Sequence, residues 1–253
     1  MKIFESCKSA LEKGGFDVCI AFNETSLDEE FVDRNEQLMK AATGAGYWVW
    51  KPYIVLKTIF AMKDDDVMFY NDVTGIFIKS MDPGHFCIMD EQDMDIGLFQ
   101  VTSKIEIEIF KFFKLFKDHN VNCEEKYSKA DAWILMGMDR KNKKISQTGQ
   151  LLSGFILARK TFRAIQFFSM WYTYNQDERI VSNKKSHFEH ESDLFVGNRN
   201  DQTVLSLLRH RCGIQPFPDL SQWGERLLGA ELRKQKQYQR ISQTFINLTR
   251  NKS

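Results

Sequence analysis

Residues 44–53, with the sequence GAGYWVWKPY, form the stretch around which the rest of the chain is interpreted. Two glycines, four aromatic residues, a lysine and a proline stand within ten positions, and no helix or strand period accounts for that density. Glycine permits close backbone approach, and Pro52 suits the first turn of a helix, where its missing N–H would be unpaired anyway. Aromatic faces beside Lys51 at a helix start are typical of a pocket that stacks a planar base and binds its phosphates. The alternative is that these aromatic side chains only pack the core.

An apolar run that stops on a carboxylate follows at residues 67–72, VMFYND. A buried parallel strand delivers a metal ligand in this way at its C-terminal end. Mg²⁺ and Mn²⁺ are hard cations that take oxygen ligands, and the phosphates of a bound nucleotide complete their coordination shell. Asp72 is therefore the candidate metal ligand, and a turn-forming aspartate beside Thr74 is the alternative.

Two other acidic clusters and one histidine pair compete for a metal. The acidic strings at 64–66 and 93–95 both precede an apolar run, at the edge opposite to the usual ligand crevice of an α/β sheet. His187 and His190 stand among carboxylates, a composition that is also typical of a solvated loop. The sequence contains no nucleophile-elbow string, no P-loop and no well-placed dinucleotide fingerprint, so those enzyme classes have no support.

Composition indicates an ordinary globular chain, with 253 residues of which 43% are hydrophobic and 27% are charged. The formal net charge of +1 provides no whole-chain attraction for nucleic acid. The sequence shows no signal peptide and no apolar run long enough to span a bilayer. Five scattered cysteines argue against a disulfide framework or a zinc site and fit a reducing compartment. We therefore expect a soluble cytoplasmic protein.

Periodicity predicts an α/β chain of one domain, residues 1–223, followed by a basic tail, residues 224–253, that is expected to be helical and exposed. Predicted helices lie at 1–13, 26–42, 52–62, 106–117, 127–136, 160–174 and 201–209. Predicted strands lie at 16–22, 67–71, 85–90 and 94–101, with a further apolar run at 149–158. The first helix is expected to place its apolar residues on one side, namely Ile3, Phe4, Cys7, Ala10 and Leu11.

Three segments resemble the motifs of a glycosyltransferase family found in bacteria and large DNA viruses. Residues 46–52 match GYWxWKP, residues 70–74 resemble YxDAG, and residues 198–208 resemble HRxDQSxxSLL. The resemblance runs in the same order from about residue 16 to residue 224, with shorter matches at Phe31, Asn35, Lys129, Asp131 and 150–155. It implies a GT-A fold, which is a single nucleotide-binding α/β domain with a mixed, mainly parallel central sheet flanked by helices. It also implies a nucleotide-diphosphate sugar as donor, with Mn²⁺ or Mg²⁺.

The resemblance implies a role for each matching residue. Asp72 stands where such enzymes hold the metal, and Tyr70 stands in place of the first aspartate of their DxD motif. The donor-binding residues would be Tyr47, Trp48, Trp50, Lys51, Tyr70, Ser153 and Gly154. The catalytic residues would be Asp201, Gln202 and Gln150.

The sequence therefore predicts a glycosyltransferase that moves a sugar to an acceptor hydroxyl on a glycan, a lipid-linked sugar or a protein. Three departures from the family, at Thr74, at Asn198 and in the missing strand before the first helix, leave open a non-catalytic sugar-nucleotide-binding module. A further alternative is a binding protein that attaches to anionic surfaces through the basic tail. No nucleic-acid partner is expected for the enzyme.

Overall fold

The computed structural model describes residues 2–81, 85–101, 122–221 and 246–248. The strands are β1 (Val67–Asn71), β2 (Gly75–Phe77), β3 (Ile96–Gln100), β4 (Leu151–Arg159), β5 (Phe217–Pro218) and β6 (Ile246–Leu248). The first helices are α1 (Lys2–Ser9), α2 (Glu29–Arg34), α3 (Glu36–Met39), α4 (Gly44–Tyr47), α5 (Trp50–Ala61) and α6 (His85–Glu91). The later helices are α7 (Glu124–Tyr127), α8 (Ala130–Leu135), α9 (Lys143–Ser146), α10 (Phe162–Asn175), α11 (Glu178–Val181) and α12 (Asp201–Arg211).

The main sheet of the described residues has the strand order β1-β4-β3-β5 and is flanked by helices. β4 pairs antiparallel with both β1 and β3, whereas β3 and β5 pair in parallel. The mixed α/β class is thus confirmed, but the expectation of mainly parallel pairing was wrong. The reason is that β4 enters the sheet against the direction that β1, β3 and β5 share, so both of its ladders are antiparallel.

β4 joins the two hydrophobic clusters of the core, because successive strand residues point to opposite faces of a sheet. Ile156 and Ala158 pack into one cluster with Trp133, Trp171 and the apolar side of α12. Phe155 and Leu157 pack into the other cluster, which contains many of the buried phenylalanines. β4, which pairs with both β1 and β3, is therefore buried on both faces of the sheet.

Most strongly periodic segments form the elements predicted for them, notably α5, β1, β3, α10 and α12. Two element predictions in the part of the chain before the tail were wrong. Residues 85–90 form helix α6 rather than a strand, since His85, Ile88 and Met89 are buried at helical spacing. Residues 16–22, all described, form no strand, and their Phe16 packs instead against Phe69 and other rings. The helix predicted at 106–117 lies outside the described residues.

Helix α1 faces the fold with its serines rather than with its apolar side. Ser6 donates a hydrogen bond to Gly75 O (2.8 Å), and Ser9 accepts one from the N–H of Phe77 (2.9 Å). Three residues of the expected inner side, Ile3, Phe4 and Leu11, are exposed, although Ala10 is buried. The polar side of α1 turns inward because it can bond the backbone of β2 there.

Cys7 and Cys19 form a disulfide, so the expectation that the cysteines build no disulfide was wrong for this pair. The turn after α1 brings their Cα atoms to 5.5 Å, a distance that the sequence spacing alone does not show. The expected cytoplasmic location rested in part on unpaired cysteines and loses that part of its support. Among the described residues, no helix combines the length and apolar character that a bilayer span requires.

Part of the basic tail returns to the fold as a strand. β6 pairs antiparallel with β2, placing Leu248 opposite Gly75 and Ile246 opposite Phe77. The expectation of a helical tail was therefore wrong for residues 246–248, whose partner strand lies just after Asp72. The rest of the tail prediction falls outside the described residues.

Candidate functional site

The side chain of Lys51 is the centre of the candidate site. Lys51 follows the first residue of α5 and is only 2% exposed. Its Nζ lies 3.4 Å from Asp72 Oδ1 and 3.4 Å from Asp201 Oδ2, and it donates a hydrogen bond to Ser153 Oγ (3.3 Å). The start of α5, the end of β1, the start of α12 and strand β4 thus meet at one ammonium group.

Asp72 lies at the open side of this cluster, with its side chain 40% exposed. Its N–H donates to Gly154 O (3.0 Å), and its Oδ1 accepts a hydrogen bond from the Tyr70 hydroxyl (2.7 Å). A Cβ at Gly154 would lie 2.9 Å from Asp72 Oδ2, so only glycine leaves that oxygen its space. Burial, together with Asp72, raises the pKa of Tyr70 well above its usual value, so the phenol remains a neutral donor.

Asp201 begins α12, as the sequence predicted, and its side chain is buried. Asn200, the residue before it, holds φ 53° and ψ −117° and donates to Val181 O, while Trp171 Nε1 donates to Asp201 O (3.0 Å). These contacts fix the first turn of α12 against its neighbours.

The charges of the cluster depend on one another. Burial raises the pKa of Asp201, and the ammonium of Lys51 opposes that shift. Burial also works to lower the pKa of Lys51, but Asp201 and Asp72 outweigh it and hold that pKa above its ordinary value. Lys51 therefore remains charged. Two carboxyl groups therefore share one ammonium at this site.

Tyr47 and Trp48, which were predicted to bind the donor, belong to an unusual turn, and Trp50 follows it as the first residue of α5. Residues 44–48, which include the short element α4, all have positive φ, at 59°, 47°, 96°, 54° and 58°, so this segment is a left-handed turn rather than a regular α-helix. The indole of Trp48 covers Gly44, where a Cβ would lie 2.3 Å from the ring, and Trp50 Nε1 donates to Gly44 O (3.0 Å). Tyr47 and Trp50 also pack against the core. These side chains contact the turn and the core, so packing accounts for part of this stretch.

Gln150 and Gln202 contact each other, but only Gln202 is partly exposed. Gln150 is fully buried, and its Oε1 accepts a hydrogen bond from Gln202 Nε2 (3.1 Å). Its own Nε2 donates to Ser128 Oγ (3.0 Å), which in turn donates to Glu124 Oε2 (3.0 Å). Sequence analysis did not identify Ser128 or Glu124, because nothing in the local pattern distinguishes them from other polar residues of a short helix.

Three of the other sequence candidates for a metal, namely His187, Asp64 and Asp66, have partners elsewhere. His187 Nδ1 lies 2.9 Å from Oδ2 of the buried Asp131, which also accepts the N–H groups of His187 and Phe188 and so secures that loop. Asp64 pairs with Lys160, and Asp66 accepts the N–H of Lys63. In the part of the chain that the structure describes, no three His, Cys, Asp or Glu side chains are grouped to hold a metal.

Asp72 nevertheless offers one oxygen to a cation. Its Oδ2 has no bonding partner among the described residues and faces the space that Gly154 leaves free. Mg²⁺ commonly uses one or two carboxylates, with water and substrate phosphates as the remaining ligands. The donor set therefore fits a cation that is completed by a phosphate-bearing ligand.

Comparison with known proteins adds one structural likeness. No family model matches the chain. No curated protein sequence matches it either. The crystal structure of mouse xyloside xylosyltransferase 1, in its apo form, aligns with 88% of this chain and 72% of its own, with 11% sequence identity and a TM-score of 0.38. A likeness this low carries no argument about activity.

Proposed function

We propose that this protein is a metal-dependent glycosyltransferase, which moves a sugar from a nucleotide-diphosphate sugar to an acceptor hydroxyl. The observation that carries the proposal is the meeting of Lys51, Asp72 and Asp201 around one ammonium group. Each of these residues belongs to a different motif of the resembling family, at 46–52, 70–74 and 198–208. Charged residues are rarely buried without a partner, so their convergence supports a built site rather than ordinary core packing.

Asp72 is the residue that would hold Mn²⁺ or Mg²⁺, through the oxygen beside Gly154. The bound cation would supply positive charge to the departing nucleoside diphosphate. Two carboxyl groups share the one ammonium of Lys51 here, so the ammonium does not occupy every carboxylate oxygen of the cluster. Tyr70 and Lys51 both contact the other oxygen of Asp72 and so orient the carboxylate.

Lys51 would hold Asp201 and Asp72 in a fixed relation rather than bind phosphate directly, because its ammonium is buried between them. Asp201 and Gln202, in the first turn of α12, would contact the donor sugar. A glycan, a lipid-linked sugar or a protein would supply the acceptor hydroxyl.

The proposal is tested first by screening UDP- and GDP-sugars with Mn²⁺ and measuring the released nucleoside diphosphate. In parallel, titration calorimetry measures UDP binding with Mn²⁺. We expect Asp72→Asn to weaken this binding at least about tenfold at an unchanged melting temperature, because an amide is a poor ligand for a hard cation. Asp65→Asn is the matched control, since Asp65 belongs to the acidic string before β1. Equal affinity in Asp72→Asn and the parent protein would place any metal elsewhere.

Asp201→Asn separates the enzyme from a non-catalytic module. An amide keeps the shape of the first turn of α12 but removes the charge beside Lys51. We expect retained nucleotide binding and a transfer rate at least about a hundredfold lower, the scale of a lost catalytic group. A parent protein that binds nucleotide sugars but releases no diphosphate with any of them would support the binding module instead.

A further inference from the structure

Gln202 begins a row of hydrogen bonds that runs inward from the first turn of α12. Its Nε2 lies 3.1 Å from Gln150 Oε1, Gln150 Nε2 lies 3.0 Å from Ser128 Oγ, and Ser128 Oγ lies 3.0 Å from Glu124 Oε2. Gln150, Ser128 and Glu124 are each at most 1% exposed, whereas Gln202 is half-buried. The row therefore starts at the candidate site and ends at a carboxylate in the interior.

The direction of this row follows from which groups can donate. Ser128 Oγ donates to Glu124 Oε2, and this bond uses the single hydroxyl hydrogen of Ser128. The oxygen of Ser128 can then only accept from Gln150, which must present its NH₂ group to it. The amide oxygen of Gln150 consequently faces Gln202, and Gln202 must use its own NH₂ group for that contact. Turning either amide around would place two acceptors about 3 Å apart without a hydrogen between them.

The second carboxylate oxygen of Glu124 also accepts a hydrogen bond from a serine hydroxyl. Ser206 Oγ donates to Glu124 Oε1 and accepts the backbone N–H of Leu151 (2.9 Å). A backbone N–H can only donate, so it leaves the hydroxyl hydrogen of Ser206 free for the carboxylate. Both oxygens of Glu124 thus have a hydroxyl donor, and Glu124 is the acceptor end of the row.

The amide oxygen of Gln202 has no hydrogen-bonding partner among the described residues. Residues 201, 203 and 204 are buried, so Gln202 is the partly exposed residue of this turn, next to Asp201. We infer that Gln202 presents this amide oxygen to the ligand and selects a group that donates a hydrogen bond to it, such as a sugar hydroxyl. An ionised phosphate, which only accepts, would be unfavourable at this position. That the ligand is a sugar rests on the proposed function, whereas the amide orientation does not.

The orientation is tested without any ligand by NMR on protein with ¹⁵N-labelled glutamine side chains. The NH₂ signals of Gln202 are assigned by their loss in Gln202→Glu. We expect this NH₂ group to exchange with water at least about tenfold more slowly than that of Gln37, an exposed glutamine of α3. Exchange as fast as that of Gln37 would mean that the NH₂ group faces outward, and the inference would be overturned.

Glu124→Gln tests the cause of the orientation. The new amide can donate, so Ser128 is no longer forced to point towards position 124 and the row can reverse. We expect the exchange of the Gln202 NH₂ group to accelerate at least about tenfold, whereas Glu125→Gln on the same helix should not change it. If Glu124→Gln does not fold, the measurement on the parent protein still decides the orientation. A folded Glu124→Gln protein with unchanged exchange would refute the role of Glu124.

The ligand test compares UDP-glucose, or the donor with the highest turnover in the screen, with its deoxyfluoro analogues. Fluorine replaces a hydroxyl group at nearly the same size but cannot donate a hydrogen bond. We expect one analogue to bind at least about tenfold more weakly to the parent protein, and Gln202→Leu to abolish that difference while binding UDP equally well. Equal discrimination by both proteins would overturn the inference. Absence of binding by every nucleotide sugar would instead refute the proposed function, and the NMR result would still stand.

Discussion

Lys51 carries a charge into the protein interior because two carboxylates meet it there. The sequence motif predicted that this lysine binds phosphate beside an aromatic pocket. In the structure, its ammonium lies between Asp72 and Asp201. Removing water from an ammonium is costly, and only close partners of opposite charge offset that cost. At the scale of one residue, burial therefore decides what a charged side chain can contact, and burial is a tertiary property.

His85 shows the effect of burial on a titratable side chain that packs between aromatic rings. It is fully buried between the rings of Phe99 and Phe217, each about 5.5 Å away, and burial lowers its pKa from 6.5 to about 4. Between these two values the unfolded chain takes up a proton that the folded chain does not. Stability should therefore fall as the pH drops from 6.5 to 4, by up to about 3 kcal/mol for this group.

His85→Phe should remove this part of the pH dependence, because phenylalanine fills the site without titrating. Urea unfolding of both proteins between pH 4 and 7.5 measures it. The difference in unfolding free energy between variant and parent should be constant above pH 7 and grow in favour of the variant below pH 6.5. Parallel curves over the whole range would contradict a depressed pKa for His85.

At the scale of one element, the left-handed turn at residues 44–48 determines how the chain enters α5. A residue other than glycine in the left-handed conformation costs roughly 1–2 kcal/mol of stability. Three of the five residues here are of that kind, namely Ala45, Tyr47 and Trp48. The glycines are needed for a different reason, since the ring of Trp48 lies directly over Gly44. The turn is thus held by the packing of its aromatic residues rather than by local preference.

Two substitutions in this turn should have opposite effects. Ala45→Gly should stabilise the protein by about 0.5–1 kcal/mol. Glycine removes the backbone strain at φ 47°, and this gain exceeds the conformational entropy that glycine adds to the unfolded chain. Ala45 is exposed, so the lost methyl group leaves no cavity. Gly44→Ala should destabilise it by at least about 2 kcal/mol, because the new methyl group would meet the indole of Trp48. Chemical denaturation measures both, and a loss of stability in Ala45→Gly would show that the turn is not left-handed there.

The disulfide between Cys7 and Cys19 closes a loop that joins α1 to the extended segment after it. Closing a loop of this size restricts the unfolded chain, and typical disulfides of this kind contribute about 2–3 kcal/mol. Reduction should lower the unfolding free energy of the parent protein by about that amount. It should have no such effect on the variant Cys7→Ser/Cys19→Ser. Alkylation of both cysteines before any reduction would show instead that the disulfide does not form.

At the scale of the whole molecule, α5, the end of β1 and the start of α12 depend on one another through the buried charges. Lys51→Met would leave Asp201 buried without a cation and should cost about 3–5 kcal/mol. Asp201→Leu should cost less, because Lys51 would keep Asp72 as a partner. The double variant should be more stable than the sum of the two losses by at least about 1–2 kcal/mol. Additive losses in urea unfolding would show that the three elements are not coupled through this pair.

The sequence by itself determined the elements with strong periodicity and the order of the site motifs. β1, α5, α10 and α12 could be predicted because the spacing of apolar residues reports which side of one element is buried. The carboxylate that ends β1 and the one that begins α12 could be identified for the same reason, since both stand at the boundary of an apolar run.

Only the tertiary structure decided which groups meet. The antiparallel entry of β4, the inward serines of α1, the disulfide and the pairing of β6 with β2 all join segments that are separate in the sequence. The row from Gln202 to Glu124 is of the same kind. Local patterns report which side of one element is buried, but hydrogen bonds and ion pairs depend on the partner that long-range packing brings to that side.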